Sequence, residues 1–91
     1  MRKEIEAIIT GRVQMVMYRD FAQRKAYKLG ILGTVKNNAD GSVRVVAQGE
    51  EDNLSKYISL LKKGSVFSRV DNVKINNHKD LGEYTQFKII F

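Results

Sequence analysis

Ile5, Ala7 and Ile9 fall at every second position within residues 3–10, the period of a strand with one buried face. Gly11 ends that run, and residues 12–18 read as a loop. A helix is predicted over residues 19–29, where Ala22, Ala26 and Leu29 share a face and Gly30 supplies a stop. A second strand over residues 31–38 and a third over 42–48 are joined through Ala39-Asp40-Gly41. The Asp-Gly pair is a strong hairpin signal and predicts antiparallel neighbours. After Gly49, the acidic run Glu50-Glu51-Asp52 opens a second helix with Leu54, Ile58 and Leu61 on one stripe, and Lys62-Lys63 close it before Gly64. Acid at the start and base at the end both match the helix dipole. Val73 and Ile75 within residues 69–77, and Phe87, Ile89 and Phe91 within 84–91, predict two further strands.

The order strand, helix, strand, strand, helix, strand places the chain in the α+β class, as a ferredoxin-like sandwich (βαββαβ) with an antiparallel sheet and two helices on one face. Ninety-one residues suffice for one apolar core, so residues 1–91 are expected to form a single domain. Enzymes, RNA binders and regulatory modules all use such a sandwich, and the function has to come from particular residues.

Composition narrows the choice a little. The chain is 43% apolar and 29% charged, ordinary for a globular domain. Sixteen Lys and Arg against ten Asp and Glu leave a net charge of +6, which favours an anionic partner without distinguishing phosphate, nucleic acid and lipid headgroups. The absence of cysteine removes disulfides, thiolate catalysis and zinc ribbons together. The apolar run Ala7-Ile8-Ile9 is too brief for a signal-peptide core or a membrane span, so a cytoplasmic protein with no membrane partner is expected, by default a monomer.

Two polar side chains stand out. Arg19 falls in the first turn of the predicted helix, where a cation faces the positive end of the dipole at a cost of roughly 0.3–1 kcal/mol. An anion bound at the same helix start would reverse that sign. The competing reading is that Arg19 extends into water or pairs with Asp20 or a glutamate. A ten-residue helix advances about 15 Å, and a six-residue strand returns about 20 Å, so the end of the second strand, at Asn37, comes back beside Arg19. A neutral amide there can donate and accept, and so could orient a water beside a phosphate. The competing reading is that Asn37-Asn38 merely prepares the turn. His78 is the only histidine and is expected at the surface. Ser65, Ser68 and Thr85 have no histidine base in a recognisable arrangement. Arg24, Lys25 and Lys28 read as a solvated helix face.

The stretch Gly11-Arg12-Val13-Gln14-Met15-Val16-Met17-Tyr18-Arg19 resembles the phosphate-loop signature of the acylphosphatase family. Gly33-Thr34-Val35-Lys36-Asn37, followed by Gly41, Val43 and Gly49, is similar to that family's second signature, in the same order and register. The resemblance spans essentially the whole chain. It implies an enzyme that hydrolyses acyl phosphates to carboxylate and phosphate without a metal, a cofactor or a covalent enzyme intermediate. It further implies that Arg19 binds the phosphoryl oxygens, that backbone N–H groups of Gln14, Met15, Val16, Met17, Tyr18 and Arg19 surround them, and that Asn37 holds the attacking water. Partners so implied are small-molecule acyl phosphates and inorganic phosphate, and acyl-phosphorylated proteins are further candidates. Met15 departs from the glycine usual in the middle of this loop. A φ > 0 there would cost methionine roughly 1–2 kcal/mol and alter phosphate affinity or loop mobility. Thr34 departs from a common aromatic and suits a strand.

The alternatives are an inactive relative that binds an anion without turnover, and a nucleic-acid binder. An RNA-reading sheet should carry aromatics on its first and third strands, and residues 3–10 and 42–48 contain none.

Overall fold

The computed structural model describes residues 1–91. It contains β1 (Arg2–Arg12), α1 (Tyr18–Leu29), β2 (Leu32–Asn37), β3 (Val43–Glu50), α2 (Glu51–Lys63), β4 (Arg69–His78) and β5 (Phe87–Ile90). The sheet order is β4-β1-β3-β2-β5. The first four strands pair antiparallel, with Ala7 opposite both Val45 and Ile75, and β2 and β3 form the expected hairpin. One pairing departs from the antiparallel expectation: β5 joins the outer edge of β2 in parallel, Gly33 to Phe87 through Lys36 to Ile90. The architecture is therefore the ferredoxin-like sandwich, with a mixed five-stranded sheet. The last strand is also shorter than residues 84–91, because Gln86 turns into the sheet only where its carbonyl accepts from Gly33 N–H at 3.1 Å.

Alternation does what the pattern requires. Ile5, Ala7 and Ile9 from β1 and Val43, Val45 and Ala47 from β3 enter one core with Phe21, Ala22 and Ala26 of α1 and Leu54, Tyr57 and Leu61 of α2. Two buried tyrosines fasten the helices to each other: Tyr18 Oη donates to Leu61 O at 2.7 Å, and Tyr57 Oη donates to Ala22 O at 2.8 Å. Burial alone pushes the Tyr18 hydroxyl pKa well above its ordinary value, and burial with the neighbouring Tyr18 does the same for Tyr57. Both stay protonated and both keep a proton to donate.

Close backbone approach fixes two glycines. A Cβ on Gly11, at φ 126°, would lie 2.2 Å from Arg69 O, where the β1–β4 register slips between Thr10 and Gly11. A Cβ on Gly33, at φ 141°, would lie 1.8 Å from Val46 O. Only glycine lets the backbones meet at these points, so Gly11 sets the bend from which the next loop departs and Gly33 sets the course of β2 toward Asn37.

On the face away from the helices, the segment between β4 and β5 folds over Glu4. This buried carboxylate accepts from Gly82 N–H at 2.8 Å and Gln48 Nε2 at 3.2 Å, and its other oxygen pairs closely with His78 Nδ1. His78 was expected at the surface; instead it is half-buried against Glu4, because the covering segment leaves that carboxylate only 4% exposed and in need of a partner. Burial by itself would raise the Glu4 pKa. The hydrogen bonds from His78, Gly82 and Gln48 outweigh it and hold the carboxyl below its ordinary value.

Candidate active site

Residues 13–17 connect β1 to α1 and alternate in burial: Val13 and Val16 are buried, Met15 and Met17 stand out, and Tyr18 is buried again at the helix start. Gln14 adds a polar tether, its Nε2 donating to Asn38 O at 2.7 Å and Ser42 O at 2.9 Å. The loop is thus pinned to the core at three points and to the β2–β3 turn at a fourth. This matters because Met15 (φ 61°) and Met17 (φ 62°) both occupy the left-handed region, at about 1–2 kcal/mol each for a non-glycine residue. Burial of Val13, Val16 and Tyr18, at roughly 1.5–3 kcal/mol per large apolar side chain, is sufficient to hold them there. Met15 accepts the strain that a glycine would avoid, and its side chain is 99% exposed.

The result is a set of unused donors. The N–H groups of Gln14, Met15, Val16 and Met17 make no backbone hydrogen bond; the first bond of α1 is Phe21 N–H to Met17 O at 3.1 Å. Met17 is the N-cap and offers no side-chain cap, so the first-turn N–H groups of Tyr18, Arg19 and Asp20 are left free as well. A left-handed residue followed by a right-handed helical one turns successive N–H groups toward one point, the geometry of an anion-binding nest. Helix α1 contributes its positive end at the same place.

Arg19 is half-buried beside these donors, and its guanidinium carbon lies 5.1 Å from the centre of the Phe91 ring. It has no acidic partner: Asp20 is engaged by Arg24 Nε at 2.9 Å. The pairing considered for Arg19 from sequence is therefore absent, and its fork of donors remains available. Helix packing explains the division of labour, since Tyr18 is drawn into the core by its bond to Leu61 and the next residue is turned outward.

Asn37 ends β2 opposite Val43. Its Oδ1 is buried and has no hydrogen-bond partner, an uncommon state for a buried polar atom. The turn does not use it. Asn38 serves there instead, with its N–H on Ser42 O at 2.8 Å and Nδ2 on Ser42 Oγ at 2.9 Å, while Asp40 Oδ1 accepts from Ser42 N–H and Oγ–H. The Ser42 hydroxyl and then its N–H lower the Asp40 pKa. Of the adjacent asparagines, one is structural and the other is left with a free acceptor. Since Lys36 pairs with Ile90, Phe91 lies one step further along the strand direction, at the level of Asn37, and its ring meets Arg19. The loop, the helix start and the end of β2 therefore share one corner of the molecule.

A cleft of about 400 Å3 opens at this corner, lined by Arg19 and Asp20 and by apolar side chains that include Met15, Met17, Ile89 and Phe91. Ile89 and Phe91 were not singled out from sequence as site residues. The only signal they carried was strand alternation, which does not say that the strand borders this loop. Ser65 and Ser68 bond within their own turn, Ser65 N–H to Ser68 Oγ at 2.8 Å, and His78 belongs to Glu4. No three His, Asp or Glu side chains converge as a metal-ligand set, and no helix is long and apolar enough to cross a membrane.

What fold and corner together define is a class: a ferredoxin-like sandwich with an electropositive strand–loop–helix junction suited to an oxyanion. The acylphosphatase family model matches residues 5–89. An acylphosphatase of Lactobacillus gasseri is 44% identical over 90 residues, covering 98% of this chain and 99% of its own, and one of Caldanaerobacter subterraneus is 42% identical over 89 residues with the same coverage. The crystal structure of acylphosphatase from Bacillus subtilis is similar with a TM-score of 0.95 and 35% identity, over 100% of both chains. The chain belongs to the acylphosphatase family and is an enzyme of that class.

Proposed function

We propose that this enzyme hydrolyses the carboxyl-phosphate bond of acyl phosphates, with Arg19 and the loop N–H groups holding the phosphoryl group and Asn37 placing the water. The observation that carries the reading is the run of unpaired N–H groups at Gln14, Met15, Val16 and Met17, leading into a helix whose Arg19 has no acidic partner. Such donors cost nothing to reorganise as charge shifts onto the phosphoryl oxygens, which is where preorganised electrostatics is most effective.

Water attacks phosphorus, the bond from phosphorus to the acyl oxygen breaks, and the acyl group departs as a carboxylate. The leaving group is stable without protonation, so no general acid is required at that oxygen. The proton of the attacking water passes to the phosphate. Asn37 Oδ1 has no partner within the fold but is itself closed to solvent, so the side-chain amide turns toward the cradle to hold one hydrogen of that water and aim its lone pair at phosphorus. Positioning and charge stabilisation then account for the whole contribution of the protein, with no metal and no cofactor. Inorganic phosphate, the product, binds the same cradle. The reading includes a monomer working in the cytoplasm on small acyl phosphates and on acyl-phosphorylated proteins.

The test is hydrolysis of benzoyl phosphate by the purified protein in excess chelator, beside folded Arg19→Ala and Asn37→Ala variants. Activity that survives chelation and drops about 10²-fold or more in each variant supports the reading. Loss of activity on chelation, or full activity in either variant, removes the corresponding part of it.

A further inference from the structure

Large apolar side chains exposed singly on a surface need no explanation, but three of those in this protein border one cleft. Met15 is 99% exposed, Phe91 93% and Met17 69%, and all three line the space of about 400 Å3 that also contains Arg19. Ile89 lines its wall and is only half-buried. The cleft is open to solvent on one side, and Met15, Met17, Tyr18 and Arg19, whose N–H groups belong to the anion cradle, also line it. Methionine is adaptable and polarizable, suited to an apolar guest of variable shape. Here two methionines are held outward by strained left-handed backbone rather than folded down onto the core.

We infer that this cleft selects the acyl portion of the substrate, and that the enzyme prefers acyl phosphates with an extended, uncharged apolar acyl group over those with a short one. The inference rests on the proposed phosphate site, because Arg19 must hold the phosphoryl end for the acyl end to lie between Met15, Met17 and Phe91. Met15 and Phe91 act as specificity residues here, not catalytic ones. Their contribution is binding shared by ground state and transition state, and so falls in KM rather than kcat.

The experiment compares kcat and KM for acetyl phosphate and hexanoyl phosphate, whose reacting carboxyl-phosphate groups are alike. A methylene moved from water into an apolar site is worth about fourfold when fully buried and about twofold when half buried, so four of them predict a preference for hexanoyl phosphate of about 15-fold in kcat/KM, mostly from KM. In the double variant Met15→Asn, Phe91→Ser the preference falls to about two- or threefold. Asparagine tolerates the left-handed backbone at position 15, and both positions are almost fully exposed, so folding is not at risk; circular dichroism checks it. Equal constants for the two substrates in the parent enzyme, or an undiminished preference in the double variant, overturn the inference while leaving the proposed function standing. Failure of the parent to hydrolyse either substrate overturns both.

Discussion

Glu4 stands near the start of β1 and Arg19 just beyond its far end, and the chain surrounds these two charges in opposite ways. Glu4 is buried and saturated: His78, Gly82 and Gln48 all bond it, and Gln48 also donates to Gly82 O at 2.8 Å. Arg19 is half-buried with no acidic partner, next to free N–H groups and a buried Asn37 oxygen that nothing satisfies. A carboxylate whose partners are all supplied by the chain has nothing left to offer a ligand and serves to fasten the segment between β4 and β5. Donors left open in a pinned loop, and an acceptor left without a partner at the end of β2, are poor for stability and, on the proposed function, serve an anion and a water. The difference separates groups spent on the fold from groups the fold leaves unspent.

Substitutions at the two ends should therefore dissociate activity from stability. Arg19→Ala is expected to lower kcat/KM for benzoyl phosphate by about 10²–10³-fold or more, with a Tm within a few degrees of the parent by thermal melting. A drop in Tm with activity retained would invert the comparison. Glu4→Ala should do the reverse. It strands Gly82 N–H, Gln48 and His78, at a cost of about 3 kcal/mol, or roughly 12–24 °C in Tm for a domain of this size, while the folded fraction assayed well below Tm keeps its kcat. Asn37→Ala should lower kcat about 10²-fold yet change chemical-denaturation stability by less than about 1 kcal/mol, because its Oδ1 makes no bond that the folded state would lose.

The pH dependence sharpens the same contrast. The folded Glu4 carboxyl titrates below its ordinary value of 4.5, and Glu6 is shifted the same way, chiefly by its hydrogen bond from Arg44 Nε at 2.6 Å. A carboxyl with a depressed folded pKa contributes stability that is fully present above its unfolded pKa and is lost as pH falls through the folded value. Denaturation midpoints should hold through neutral pH and fall from about pH 5 downward, and Glu4→Gln should flatten that slope. The smallest effect is expected at Met15. Met15→Gly relieves left-handed strain of about 1–2 kcal/mol but loosens the unfolded chain by about 0.4–1 kcal/mol, a net gain of about 0–1.6 kcal/mol, so Tm should rise by no more than about 13 °C while turnover persists. A large loss of stability would show that Met15 packs in a way its exposure does not suggest.

Much of the fold was legible along the chain, and for local reasons. The period of Ile5, Ala7 and Ile9, the Asp40-Gly41 turn and the oppositely charged ends of α2 each act over a few residues, and each element formed where that pattern lies. At the site, Arg19 was conspicuous as a cation at a helix start, and the two motifs pointed to Asn37. Alternation names the buried face of a strand but not its neighbour, so the parallel attachment of β5 to β2 could not be read, and with it went the place of Phe91 against Arg19. The burial of His78 is hidden from the sequence for the same reason: Glu4 meets it across 74 residues of sequence.

Along the chain alone, the strand and helix periods, the turn, the glycine positions and the residue types offered to an anion were set, because backbone sterics and hydrophobic period are properties of neighbouring residues; the family came separately, from the two motifs. The tertiary structure alone decided which of those groups are spent and which stay free: that Asn38 and not Asn37 serves the turn, that Asp20 goes to Arg24 and leaves Arg19 open, that Glu4 closes on His78. Saturation of a hydrogen-bonding group depends on every segment that reaches it, and only long-range packing brings those segments together.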